Sequence, residues 1–179
     1  MTGKFPTIKT DRLLLRQFKE GDLENVFKGL SHPDIIKYYG VRYNTLEDTK
    51  EQIKWFAELE RSGTGIWWAV CSPDSMVFHG ACGLNNLHRE HKKAEIGFWL
   101  MPAYWSKGIM TEAIPLVCKY GFDELGLHRI EAMVETENLN SKRLMEKLKF
   151  THEGTMVECE VKDGIYISLD IYAMLNQKH

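Results

Sequence analysis

Three features are scarce in this chain of 179 residues: paired cysteines, surplus basic charge and long apolar runs. The four cysteines are scattered without CxxC spacing, which predicts reduced structural thiols in a cytoplasmic protein. Lys and Arg total 23 against 25 Asp and Glu, which argues against a nucleic-acid-binding protein that works by neutralising phosphates. No apolar run approaches the ~20 residues of a membrane helix, and we read no signal peptide at the start.

Clustered metal ligands are scarce as well. The nearest approach to a cluster, His88-Arg89-Glu90-His91, lies in a polar stretch and lacks the i, i+4 histidine pair of zinc hydrolases. We interpret this stretch as a solvated turn and expect no metal cofactor.

The chain does have enough apolar sequence for a core, since 44% of its residues are hydrophobic. It has no internal repeat, low-complexity tract or Pro/Ser-rich linker, so we expect one domain over residues 1–179. A domain of this size buries roughly 70% of the surface that its unfolded chain exposes, which leaves room for a ligand cleft.

Hydrophobic spacing predicts the element order β-α-α-β-β-β-α-β-α-β-β. The predicted strands are 13–15, 65–71, 77–87, 94–101, 128–134, 151–160 and 165–175, and the predicted helices are 22–30, 46–61, one beginning near 110, and 141–148. Asp22 is expected to cap the first helix, and Pro115 to lie near enough to the start of the third helix to cost little. The unit 94–134 supplies one parallel crossover, so the predicted fold class is α/β (α+β) with a mixed sheet.

Chemistry concentrates in the segment Ile96–Ala113, which has the pattern of a strand, a short loop and a helix N-terminus. The first turn of a helix carries unpaired N–H groups and partial positive charge, so it can bind an anion such as a pyrophosphate. Gly108 would let the backbone approach a ligand closely, Thr111 offers a hydroxyl, and Lys107 adds charge. The pattern is neither GxxxxGK[ST] nor GxGxxG. An ordinary βα turn with one glycine explains these physical cues equally well.

A family resemblance favours the anion site. The segment Trp105–Met110 resembles the acetyl-CoA-binding motif of the GNAT superfamily of N-acetyltransferases, (Q/R)-x-x-G-x-(G/A). The longer run IGFWLMPAYWSKGIMTEA is similar to the branch that acetylates the N-termini of ribosomal proteins, which carries YW-x-K/R-G-x-x-TEA. Asn138–Phe150 resembles the N-x-x-S…EK-x-GF block of that branch, and Thr10–Leu13 and Lys162–Tyr166 are also typical. The resemblance spans essentially the whole chain.

The resemblance implies a GNAT fold, a mixed and mostly antiparallel sheet with helices on both faces and a central splay of parallel strands, here 94–101 and 128–134, that holds acetyl-CoA. The implied cofactor-binding residues are Trp99, Leu100, Trp105, Ser106, Lys107, Gly108, Ile109, Met110, Thr111, Asn138 and Arg143. A strand amide near Trp99 or Leu100 would meet the thioester carbonyl. Trp105 and Met110 depart from the general motif, and Lys149 stands where glycine is usual. Lys149 would cost about 1 kcal/mol if that position is left-handed.

The resemblance also implies two catalytic residues. Ser141 is the candidate general acid beside the cofactor sulfur, and it could also cap its helix. Glu160 is the candidate general base, because it follows Phe150 by the spacing of that branch. Glu158 would point to the same strand face, and both glutamates could simply be charges facing solvent.

The expected activity is direct transfer of an acetyl group from acetyl-CoA to a primary amine in a ternary complex. The leading acceptor is the α-amine of a protein N-terminus, such as that of a ribosomal protein. The alternatives are a small amine, such as a polyamine, an amino acid or an aminoglycoside, and a non-catalytic acyl-CoA-binding module. Homodimers are common in the branch, and pairing of an exposed final strand across a two-fold axis would be one way to form one.

Overall fold

The computed structural model describes residues 4–177. Its strands are β1 (Ile8–Lys9), β2 (Leu14–Arg16), β3 (Ile66–Cys71), β4 (Phe78–His88), β5 (Lys93–Leu100), β6 (Arg129–Glu135), β7 (Thr151–Lys162) and β8 (Ile165–Leu175). Its helices are α1 (Leu23–Leu30), α2 (Pro33–Ile36), α3 (Leu46–Ser62), α4 (Ile109–Asp123) and α5 (Leu139–Lys147), with 3₁₀ turns at Glu20–Asp22 and Pro102–Tyr104. Among the described residues, no helix combines the length and apolar character that crossing a membrane requires.

Local sequence signals fix many of these boundaries. The Thr45 side chain accepts a hydrogen bond from the amide of Asp48 and so caps α3, and Gly63 ends that helix in the left-handed region. Along β6, buried residues alternate with partly exposed ones, as expected of a strand that is covered more tightly on one face. The predicted strands and helices lie within a few residues of the observed ones.

All eight strands form one sheet in the order β1-β2-β3-β4-β5-β6-β8-β7. The strands β3, β4 and β5 form an antiparallel meander, and the predicted crossover through α4 makes β5 and β6 parallel. These two strands pair only at their first residues, from Lys93 opposite Arg129 to Glu95 opposite Glu131. Beyond Glu95 they separate, so the sheet contains the predicted parallel splay.

Two apolar clusters cover the two faces of the sheet. One lies under α4 and α5 and includes Ile114, Ile130 and Tyr172. The other lies under α1 and α3 and is rich in aromatic residues, including Trp67 and Trp99. Helices on both faces of a mostly antiparallel sheet confirm the predicted fold class.

The structure corrects the expectation about the sheet edge. The final strand β8 is not exposed, because it pairs with β6 on one side and β7 on the other. The hairpin turn at Asp163–Gly164 folds β8 back against β6 and leaves β7 as the edge strand. The short elements β1 and α2 are also absent from the predicted order, because two and four residues carry too little periodicity to be recognised.

Two local expectations about helices were wrong. Asp22 does not cap α1 with its side chain, because its carboxylate forms a buried ion pair with Arg16 at 2.7 Å and accepts the Lys19 amide. Pro115 is the seventh residue of α4 and lies outside the first turn. Its ring therefore removes the amide that would have bonded to the Thr111 carbonyl.

Candidate active site

A cavity of about 590 Å³ opens where β5 and β6 separate. Its wall includes ten of the residues assigned from the sequence: Trp99, Leu100, Trp105, Ser106, Gly108, Ile109, Met110, Thr111, Asn138 and Ser141. Three assigned residues, Lys107, Arg143 and Glu160, are exposed side chains outside this wall. The chain thus brings residues from the β5–α4 loop and from the start of α5 to one opening.

The loop between Trp105 and α4 forms the end of the cavity whose backbone geometry suits an anion. Ser106 has φ 59° and Gly108 has φ 76°, so two residues of this short loop are left-handed. Such a backbone turns successive N–H groups toward one concave surface. The first helical hydrogen bond of α4 runs from the Glu112 amide to the Gly108 carbonyl, at 3.2 Å. The preceding first-turn amides have no intrahelical acceptor and are free to bind a ligand.

The end of β5 presents one peptide group to the splay. The Met101 amide donates to the His79 carbonyl of β4 at 2.8 Å, and the ladder pairs Leu100 with Gly80. Because successive residues of a strand point their backbone groups to opposite sides, the Leu100 peptide groups point away from β4 and toward the splay. Trp99 instead points its backbone groups toward β4. Leu100, and not Trp99, therefore offers its amide to the cavity.

The Trp105 side chain has a role that the motif alone does not reveal. Its indole N–H donates to the Leu100 carbonyl at 2.6 Å. This bond ties the anion-binding loop to the last residue of β5 and satisfies the one Leu100 acceptor that faces the splay. The amide of Leu100 is left available to a ligand.

The N-terminal segment supports the same loop from outside. Arg12 donates to the Lys107 carbonyl at 2.9 Å and forms an ion pair with Glu112 at 3.3 Å. The Thr10 hydroxyl donates to the Glu112 carboxylate at 2.6 Å. The Thr-Asp-Arg-Leu motif near the start of the chain is thus part of the scaffold of the loop.

A buried histidine lies under the 3₁₀ turn that precedes the loop. The His79 ring lies 4.2 Å from the Tyr104 ring, and its Nε2 is 3.1 Å from the Ser72 hydroxyl. Burial, with the positive charge of Lys107 as the second cause, lowers the pKa of His79. The neutral form of the ring is therefore favoured, and the Lys107 Nζ atom lies over the Tyr104 ring, 5.5 Å from its centroid.

Ser141 does not cap α5, although its position in the sequence would allow it to. The residue that caps α5 is Asn138, whose side-chain oxygen accepts the Ser141 amide at 3.1 Å. Ser141 lies in the cavity wall and is partly buried. Its hydroxyl forms no hydrogen bond with another group in residues 4–177, so it is free to act on a ligand.

The start of α5 is fixed to the sheet by a buried carboxylate. Asp170 of β8 forms an ion pair with Lys142 at 2.6 Å and accepts from the Thr155 hydroxyl at 2.5 Å. Burial alone would raise the pKa of Asp170, but the bonds from Lys142, Thr155 and His152 lower it to about 2. This anchor holds the residue next to Ser141 in place.

Two carboxylates outside the cavity wall, Glu160 and Glu95, differ in burial. Glu160 is exposed on β7, opposite Ile167. A bulge between Met156 and Glu160, with Glu158 at φ 50°, interrupts the alternation that would have placed Glu158 and Glu160 on one face. Glu95 of β5 is partly buried, and burial, with the fields of Glu131 and Glu160, raises its pKa despite a hydrogen bond from Asn86.

Sequence analysis missed Glu95, although it lies only four residues before Trp99. No cation pairs with Glu95 among residues 4–177. By contrast, Glu131 on the neighbouring strand is engaged by Arg129 at 2.6 Å. The position of Glu95 in the sequence is that of an ordinary strand residue. The sequence therefore could not show that its carboxylate is half-buried and lacks a cationic partner.

The loop after α2 closes the other side of the opening. Tyr38 and Tyr39 line the cavity together with α2, and sequence analysis did not assign them. The tip of the β7–β8 hairpin holds this loop, because Arg42 pairs with Asp163 at 2.8 Å and Lys162 donates to the Lys37 carbonyl. The opening is therefore bounded by an N-terminal loop and a C-terminal hairpin that are far apart in sequence.

The candidate metal cluster is remote from this opening along β5. Donor atoms of His88, Glu90 and His91 lie within 4.8 Å of one another, and all three residues are exposed on the β4–β5 turn. The His88 Nδ1 already accepts the His91 amide at 3.3 Å. That no metal cofactor is used stays a prediction.

Comparisons with known proteins agree with this geometry. The family model described as an acetyltransferase (GNAT) domain matches residues 12–151. The N-acetyltransferase YoaA of Bacillus subtilis is 34% identical over 97% of this chain and 99% of its own length. The ribosomal-protein-serine acetyltransferase of Escherichia coli is 22% identical over 72% of this chain and 71% of its own.

Solved structures show the same fold. A GNAT-family acetyltransferase from Bacillus anthracis superimposes with a TM-score of 0.82 at 32% identity, over 95% of this chain and 98% of that one. A spermidine N-acetyltransferase from Vibrio cholerae, solved with CoA and spermine, gives a TM-score of 0.83 at 24% identity, over 94% of this chain and 98% of that one.

Proposed function

The chain belongs to the GNAT family of N-acetyltransferases, and from that premise we propose that it transfers the acetyl group of acetyl-CoA to a primary amine at the β5–β6 splay. The observation that carries this proposal is the continuity of one cavity. The cavity runs from the left-handed loop at Ser106 and Gly108, past the Leu100 amide, to the free hydroxyl of Ser141.

The residues present fit the cofactor. The amides from Ser106 to Thr111 would hold the pyrophosphate, because the loop and the first turn of α4 turn N–H groups toward one concave surface. The Thr111 hydroxyl and the Asn138 side chain lie in the same wall. When bound, acetyl-CoA supplies an acetyl group that is activated as a thioester.

The chain contributes two groups to the transfer. The Leu100 amide is positioned to stabilise negative charge on the acetyl oxygen, since it is a fixed donor facing the splay. The Ser141 hydroxyl is the proposed donor of a proton to the departing thiolate. Arg143 and Lys107 are exposed and would act through long-range attraction to phosphate.

The amine must lose a proton, and two carboxylates compete to receive it. Glu160 has the spacing of the branch, and Glu95 has the environment of a base, because burial raises its pKa and no cation neutralises it. An α-amine has a reference pKa of about 7.7–8.0, so the base need only assist, directly or through water. We propose Glu95 as the stronger contributor and Glu160 as the weaker.

The proposed acceptor is the α-amine of a protein N-terminus, in keeping with the name of the ribosomal-protein-serine relative. A small amine is the second candidate, and the carboxylate of Glu95, whose field reaches Tyr39 in the cavity wall, favours it. Either acceptor is compatible with a cytoplasmic enzyme.

The test is a turnover assay that follows CoA release with a panel of N-terminal peptides and, separately, small amines. Release of CoA that depends on one acceptor class supports the proposal and selects the acceptor. Saturable acetyl-CoA binding without transfer to any amine would indicate an acyl-CoA-binding module and contradict the proposed activity.

A further inference from the structure

A second cavity, of about 300 Å³, adjoins the first, and Tyr39 lines both. Its remaining wall consists of Val41, Tyr43, Glu51, Gln52 and Trp55. None of these residues takes part in the transfer described above. Because a single tyrosine belongs to both walls, the two cavities are immediate neighbours.

Three aromatic rings dominate the wall, and neighbouring residues hold two of them in place. The Tyr43 hydroxyl donates to the Oε1 atom of Gln52 at 3.1 Å, and Gln52 itself is only 3% exposed. The Trp55 ring packs edge-on against the buried ring of Trp67 at 5.7 Å. Since Trp55 keeps 39% of its surface exposed, part of it remains open to a ligand.

The wall has a single charged residue, and its charge is negative. Glu51 forms no ion pair or hydrogen bond within residues 4–177, and its neighbour Lys50 is engaged with Glu47 at 2.5 Å. Burial, followed by the field of the Glu51 carboxylate, raises the pKa of Tyr43. The carboxylate therefore acts on the same space as the ring, and no cation in the wall neutralises it.

We propose that this second cavity binds a cationic group of the acceptor, an alkylammonium or a guanidinium, while a different amine of the same molecule reacts in the first cavity. Aromatic faces attract a cation through their quadrupole, and a nearby carboxylate adds to that attraction. A neutral or acidic side chain would gain neither. The inference rests on the proposed function, because it places the reacting amine beside Ser141.

The recognised chemistry is an acceptor with two amines, or with one amine and one guanidinium. Two sources supply it: a polyamine, and a peptide whose N-terminal residue is followed by Lys or Arg. Both present the second cation at a short distance from the reacting amine. Monoamines and peptides with neutral second residues lack it and are expected to be poorer acceptors.

The experiment compares matched acceptors in the full chain. One arm uses α,ω-diaminoalkanes against n-alkylamines of the same length, and the other uses a peptide with Lys in second place against the same peptide with norleucine. For the wild-type enzyme, the KM of the two-cation member of each pair is expected to be about tenfold lower than that of its partner, which is the value of one favourable cation–π contact. The better arm identifies the source.

Variants test the cavity itself. Glu51→Gln and Trp55→Ala should reduce the preference toward unity, and Trp55→Phe should restore part of it. The matched control is Glu47→Gln, which removes a carboxylate from the same helix outside the cavity and should keep the preference. Equal KM values for both members of each pair in wild type would overturn the inference and leave the proposed function intact.

A calorimetric titration of the diamine without acetyl-CoA separates the two hypotheses. Binding that Glu51→Gln weakens supports the second cavity even if acetyl-CoA fails to bind, an outcome that would defeat only the proposed function. Equal affinity of wild type and Glu51→Gln for the diamine overturns the inference.

Discussion

The two sides of the β5–β6 splay differ in the groups that form them, backbone on one side and side chains on the other. The cofactor side consists mainly of backbone groups from one continuous segment, the loop from Trp105 to Thr111, next to the start of α5. The acceptor side consists of side chains from separate elements, such as Tyr39 after α2 and Trp55 on α3, and the field of Glu95 on β5 reaches Tyr39. Under the proposed function the first side would recognise a constant ligand, and the second would vary with the acceptor.

This difference has a physical cause. A backbone site needs particular φ values and a helix N-terminus, which tolerate many side chains and leave a short motif in the sequence. A site made of side chains depends on the packing of distant elements, which no short segment encodes. The comparison predicts that damage on the cofactor side abolishes all transfer, whereas damage on the acceptor side changes rate and preference.

The largest effect is expected from Gly108→Val. The backbone at Gly108 has φ 76°, where a β-branched residue is strained by about 1–2 kcal/mol. This strain would move the loop out of the conformation that binds the ligand, and one charge-assisted hydrogen bond would be lost as well. Together the two effects predict that acetyl-CoA binds about 300-fold more weakly, as measured by calorimetry.

The control for that variant is Gly126→Val. Gly126 has φ 65° and, like Gly108, no atom within 4 Å of its missing Cβ, but it lies outside the cavity. It should lose comparable stability and keep its affinity for acetyl-CoA. If both variants bound acetyl-CoA equally well, the loop would not be the cofactor site.

Next in size is Ser141→Ala. Loss of the proposed proton donor should lower kcat by about 100-fold while the Kd for acetyl-CoA stays near wild type. The cap of α5 survives in this variant, since Asn138 provides it through the amide of residue 141. Unchanged kcat in steady-state assays would remove Ser141 from the mechanism.

A smaller effect is expected on the acceptor side from Glu95→Gln. The raised pKa of Glu95 means that the basic form is lost as pH falls through a value above the ordinary 4.5. The wild-type rate should therefore rise with pH across that window, whereas the variant should be flat there and about tenfold slower near neutral pH. Glu160→Gln is the paired variant, and a larger loss from Glu160→Gln would reverse the assignment of the base.

The smallest effect on activity is expected from Asp170→Asn, which acts on stability. The pKa of Asp170 is lowered to about 2 from an ordinary 3.8, so its carboxylate stabilises the fold above the ordinary value and that contribution is lost as pH falls toward 2. Thermal melts between these limits should show a shallower acid-induced fall in Tm for the variant. An identical slope for both proteins would mean that this anchor contributes nothing.

The β5–α4 side of the opening follows from the sequence far more closely than the opposite side does. The loop at Gly108, the helix after it and the parallel crossover follow from short, local patterns, and the structure adds that Lys149 is indeed left-handed, at φ 67°. The role of the Trp105 indole was not predicted, because the bond to Leu100 depends on how the chain turns back at the 3₁₀ turn.

The acceptor side escaped prediction for reasons of packing. Tyr39 and Tyr43 lie in a loop without periodicity, and nothing in their spacing reveals that they share a cavity with Trp55. Glu95 alternates along β5 like any strand residue, so its burial depends on neighbouring strands. The edge strand of the sheet was predicted wrongly for the same reason, since only the hairpin at Asp163 decides that β7 lies outside β8.

The most direct test of the central claim is a calorimetric titration of the purified protein with acetyl-CoA, with NAD and ATP as control ligands. Saturable binding of acetyl-CoA at one site, without comparable binding of either control, is the predicted result. Absence of binding at millimolar acetyl-CoA would contradict it, because the loop from Trp105 to Thr111 would then have the family's fold without its ligand.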